Sequence, residues 1–93
     1  MGFEYKLSFQ SPGGESTIGA LARLPGARLP ANQAGTIEFR RGAPDSGMPD
    51  ATASATAYGL YFCDHGGFGR EYLGYIAAQL IHAFGAITIE ELE

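Results

Sequence analysis

Apolar and polar residues take turns at the start of the chain. In Phe3 to Gln10, FEYKLSFQ, the apolar Phe3, Tyr5, Leu7 and Phe9 occupy every second place and Glu4, Lys6, Ser8 and Gln10 fill the places between. This period of two belongs to a strand with one buried face. Ser11-Pro12-Gly13-Gly14 ends it, because proline has no N–H to give a ladder and paired glycines favour a turn. Ser16 then stands as the cap of a short helix in which Ile18, Leu21, Ala22 and Leu24 recur at helical spacing until Pro25-Gly26 stops it. Residues 25 to 35 read as an irregular connection with Leu29 as its buried anchor. Alternation returns in Thr36 to Arg41, with Ile37 and Phe39 inward and Glu38 and Arg40 outward.

Beyond that second strand, prolines, glycines and small side chains leave little to bury, so residues 42 to 52 read as a mobile loop. From about Ala53 alternating Ala and Thr extend the next strand, with the tip PDSGMPD closing a hairpin. Tyr58 to Cys63, YGLYFC, is aromatic and strand-like, placing Tyr58, Leu60 and Phe62 on one face and Tyr61 and Cys63 on the other. Gly69 to Phe84 carries Leu73, Ile76, Ala77, Leu80 and Phe84 at spacings of three and four, the stripe of an amphipathic helix. Gly85 can end it, and a last strand follows with Ile87 and Ile89 inward and Thr88 and Glu90 outward.

The order strand, helix, strand, strand, helix, strand predicts one α+β domain over residues 1–93. Right-handed connections fold two such units into a ferredoxin-like two-layer sandwich, βαββαβ, a four-stranded antiparallel sheet with two helices on one face. Composition agrees with a globular chain: 45% of the 93 residues are hydrophobic and 17% charged. The longest apolar stretch, residues 72 to 89, is broken by Gly74, Gln79, His82 and Gly85, which argues against a membrane span. Neither a leader nor a cysteine pair marks export, so the cytoplasm is the expected location. Ten acidic against six basic residues give a net charge of -4, which repels polyphosphate and argues against nucleic acid as a partner.

The candidate chemistry is gathered in residues 61 to 72, YFCDHGGFGREY. Strand alternation puts Tyr61, Cys63 and His65 on the face away from the core and Asp64 on the other side. A thiol and an imidazole two residues apart could form a nucleophile and base, but no third group is evident to orient the ring. The simpler reading makes Cys63 a small hydrophobe, Asp64 an acceptor of turn N–H groups, and the glycines suppliers of positive φ. Zinc needs about four ligands, and one Cys with two His does not make a set. Gly66-Gly67-Phe68-Gly69-Arg70 leads into a helix and offers N–H groups and an arginine to a small anion, without a Walker lysine or dinucleotide spacing.

The expectation is therefore a non-enzymatic binding or interaction module without metal or cofactor, whose surface includes Tyr61, Cys63, His65, Arg70 and Arg40. Its partner is a protein or a second copy joined through the second or fourth strand, and an inhibitor or immunity-type protein is one concrete version. The alternative is a small enzyme or anion-binding protein using Cys63, His65 and the glycine-rich helix start.

Overall fold

Eight elements follow one another in the computed structural model, which describes residues 3–29, 35–40, 49–66 and 68–92. They are β1 (Phe3–Ser8), α1 (Gly14–Leu21), β2 (Ala27–Arg28), β3 (Thr36–Phe39), β4 (Ala51–Thr56), β5 (Gly59–Asp64), α2 (Gly69–Phe84) and β6 (Thr88–Leu92). The strands form one six-stranded sheet in the order β2-β3-β4-β5-β1-β6, and every neighbouring pair is antiparallel.

This overturns the four-stranded ferredoxin-like sandwich. The sequence pattern fails in two places, each for a physical reason. Residues 51–56 form a strand of their own between β3 and β5, whereas the sequence pattern reads as loop up to residue 52 and, from about Ala53, as an extension of the strand that runs to Cys63. The turn at Ala57-Tyr58 divides the two. Ala51 and Ala53 are buried, because small residues let α1 come close to the sheet. A Cβ on Gly14 would stand 3.2 Å from that of Ala55. The second addition, β2, is two residues long, too short for any alternation to show. Of the loop expected over residues 42–52, positions 42–48 lie outside the described residues, and Ala51 and Thr52 belong to β4.

β4 and β5 are joined by the two residues Ala57-Tyr58, with Thr56 opposite Gly59. Gly59 has φ +144°, and a side chain there would run into the Leu7 carbonyl and the Phe9 ring. Its N–H donates to Thr56 Oγ1 at 3.1 Å. The turn takes Tyr58 off the core face expected for it and brings its ring 4.7 Å from Lys6 Nζ.

Cross-strand register explains the core. Tyr5, Phe62, Ala53 and Ile37 are directly opposed across four strands, so they share a face, and all four are buried. Leu21 of α1 and Tyr72, Ile76 and Leu80 of α2 belong to the same cluster, which places both helices on that face. Burying each large apolar side chain is worth about 1.5–3 kcal/mol. α1 starts at Gly14, ahead of the expected Ser16 cap. No side chain caps it at Gly13; Ser11, two residues ahead, accepts the Gly13 N–H at 3.1 Å and hydrogen-bonds Thr17 Oγ1 at 2.9 Å, tying the preceding loop to the first turn.

Three apolar residues expected inside are outside: Leu29 is 60%, Phe3 51% and Ile89 42% exposed. Phe3 and Ile89 keep the parity of the core face, yet the helices approach the sheet most closely over β3, β4 and β5, so the β1–β6 flank is thinly covered.

Candidate functional site

One face of the sheet carries no helix. Alternation fixes what it displays: Thr36 and Glu38 from β3, Thr52, Ser54 and Thr56 from β4, Tyr61 and Cys63 from β5, Glu4, Lys6 and Ser8 from β1, and Thr88, Glu90 and Leu92 from β6. Register sets these side chains in rows across the strands. One row runs Arg28, Glu38, Thr52, Cys63, Glu4, Leu92, and the next Thr36, Ser54, Tyr61, Lys6, Glu90. Directly opposed side chains of this kind stand about 4.5–5.5 Å apart at Cβ. Thr36 and Ser54 are hydrogen-bonded at 3.3 Å. The face is thus a field of hydroxyls and charges of both signs around Tyr61, with the Tyr58 ring set over Lys6 at its margin.

Cys63, His65 and Thr52 meet on it. The thiol lies 3.8 Å from His65 Nδ1, and His65 Nε2 lies 3.0 Å from Thr52 Oγ1. The His65 N–H is fixed to the carbonyl of Asp50, the residue before β4, at 3.0 Å, so His65 is held by its backbone at Asp50 and by its ring at Thr52. Sequence alone showed no group to orient the imidazole. Thr52 is that group, missed because position 52 falls at the end of the stretch that reads as loop, one residue short of the expected strand.

Electrostatics set what this arrangement can do. Burial pushes the Cys63 thiol up from its ordinary value, and the Glu4 and Asp64 charges push it further. Cys63, His65 and Thr52 form a chain of contacts through the two ring nitrogens, in which the imidazole tautomer sets which atom donates at each end. Beside it, Tyr61 is pushed up to about 12, first by desolvation and then by the Glu4 carboxylate, as hydrogen-bond acceptor and as negative charge. Two acidic neighbours oppose a thiolate here, the reverse of the electropositive setting that activates cysteine. Cys63 and His65 also lie on a sheet surface, away from the cleft between the two helices that is lined by Leu24, Phe68 and Tyr72.

Of the five expected binding residues, the structure brings together Tyr61, Cys63 and His65. Arg40 stands just past β3, two strands from β5, with Nε 3.4 Å from Glu38 Oε1. Arg70 is exposed on the first turn of α2. The anion site expected at that helix start meets an anion already there. Asp64 is buried, its carboxylate accepts the Gly66 N–H at 2.8 Å, and it presses on Gly69, where a Cβ would overlap it. A second anion would be repelled by that charge.

On the helix-bearing side, a cleft of about 490 Å³ opens between the end of α1 and the start of α2, lined by Leu24, Pro25, Phe68, Tyr72 and Tyr75, with Arg40 and Glu71 of opposite charge. Tyr72 is buried and its ring lies 5.1 Å from Phe39. Among the described residues, no group of three or more His, Cys, Asp or Glu could hold a metal ion, and no helix is long and apolar enough to cross a membrane. Comparison with protein families, curated proteins and solved structures finds no match to this chain.

Proposed function

We propose that the chain is a non-enzymatic interaction module that binds a protein partner on the bare face of its sheet, centred on Tyr61. The observation that supports this most is the row structure of that face: hydroxyls, paired charges and a tyrosine laid out on six rigid strands. Tyrosine offers contact area and a hydroxyl at small entropic cost, and the surrounding polar groups give orientation. The raised thiol pKa supports binding over catalysis, since it keeps Cys63 a neutral donor at neutral pH. A net charge of -4 favours encounter with a basic partner, at a rate that falls with added salt.

The single cysteine gives a direct test. A photoreactive group carried on Cys63 reports contacts of the bare face; the same group on a Gly19→Cys/Cys63→Ser chain reports the far side, where a Cβ on the exposed Gly19 of α1 meets nothing within 4 Å. The expected result in native extract is a saturable adduct from Cys63 that Tyr61→Ala abolishes and that the α1 position does not form. Equal labelling from both positions, or an adduct indifferent to Tyr61, would contradict the reading.

A further inference from the structure

The sheet ends unequally. At one edge β2 offers two residues; at the other β6 offers five, Thr88–Leu92. Among the described residues β6 pairs with β1 and with no other strand. Along such an edge alternate residues turn their N–H and C=O outward, where a further strand can take them. The side chains support a covering strand as well, because Ile89, on the core-face parity beside Leu7, is left 42% exposed. A strand laid outside β6 would bring an apolar side chain against it.

Charge selects the occupant. No Lys or Arg follows Arg70 in the sequence, while Glu71, Glu90, Glu91 and Glu93 do. Glu90 and Glu91 project from opposite faces of β6, so the edge is acidic above and below. A second copy is a poor fit: antiparallel pairing centred on β6 sets Glu90 against Glu90, a like-charge pair that weakens the ladder. We propose that β6 is a strand-addition site for an extended, basic segment of a protein partner, with an apolar residue opposite Ile89 and Lys or Arg opposite Glu90 and Glu91. Main-chain hydrogen bonds supply the adhesion and the alternating side chains the choice of sequence. The site is the outer edge of the sheet rather than the field around Tyr61; Glu90 borders both, yet the edge can stand or fall without the Tyr61 field.

The test uses the whole chain, isotope-labelled, with a short capped peptide built on the run Lys-Lys-Val-Lys-Lys, which sets valine opposite Ile89 and lysine opposite Glu90 and Glu91 in either strand direction, and a matched peptide with glutamate in place of lysine as control. The expected result is that the lysine peptide shifts the amides of Thr88 to Leu92 and slows the exchange of alternate ones, while the glutamate peptide does neither. Glu90→Lys/Glu91→Lys should weaken the dissociation constant by about tenfold or more. Glu90→Gln/Glu91→Gln, which keeps the shape, should give an intermediate loss, and both variants should retain the parent amide spectrum elsewhere. Shifts confined to the bare face around Tyr61, absence of binding, an affinity unchanged by charge reversal, or a dimer paired through β6 in sedimentation would each overturn the proposal.

Discussion

Tyr61 and Cys63 stand side by side in a surface that water can reach, yet both are held in their protonated forms by partial desolvation and by Glu4. For the phenol this has a consequence for stability. Its proton is released near 10 in the unfolded chain and near 12 in the fold. What the neutral phenol contributes is therefore complete below pH 10 and is lost as pH rises through that window, since the unfolded state gives up the proton first. Thermal unfolding of the parent should fall more steeply from pH 10 to 12 than that of Tyr61→Phe, which has no proton to release. Parallel curves would show that the phenol is not held by its surroundings. Every group other than the Tyr61 hydroxyl is common to both proteins and drops out of the difference.

At the scale of elements, the start of α2 is a close fit between a carboxylate and a glycine. Asp64 closes β5, accepts the Gly66 N–H and fills the space beside Gly69. Gly69→Ala should destabilise by about 1–3 kcal/mol, because the added methyl meets the Asp64 carboxylate and the Asp50 carbonyl, both held by the sheet. Gly74→Ala, on the exposed side of the same helix with nothing within 4 Å, should stabilise by about 0.5–1 kcal/mol. Urea midpoints of the two variants, one below and one above the parent, check both; equal shifts would refute the packing described. How far these elements were legible follows from side-chain size. α2 announced itself through a long stripe ending in Gly85, and β1, β3 and β5 through alternation of large apolar residues. β4 was legible only from about Ala53, and only as an extension of β5, because Ala51 and Ala53 are buried by the approach of α1 and have little apolar bulk of their own. Leaving residue 52 in the loop meant missing Thr52, and with it the partner of His65. The Cys63–His65 pairing could be read from a spacing of two on a strand; the residue that holds the ring comes from a neighbouring strand, which local pattern does not reveal.

Taken whole, the molecule is two-layered: a six-stranded sheet, two helices on one side, and a polar side left bare. The helices bury the aromatic and aliphatic residues of β1, β3 and β5, so the opposite residues of those same strands are rigidly placed without being packed. That rigidity suits recognition, because side chains set on paired strands lose little freedom when a partner docks. It also places a thiol beside an imidazole, the one feature that would suit catalysis instead. The most direct measurement is the rate of Cys63 alkylation against pH in the folded chain, with the denatured chain as reference. A neutral, binding-type thiol predicts slow reaction at about pH 6, a rate that climbs with pH, and a midpoint above that of the denatured chain. A rate at about pH 6 equal to that at about pH 8 would reveal a thiolate paired with His65 and contradict the account.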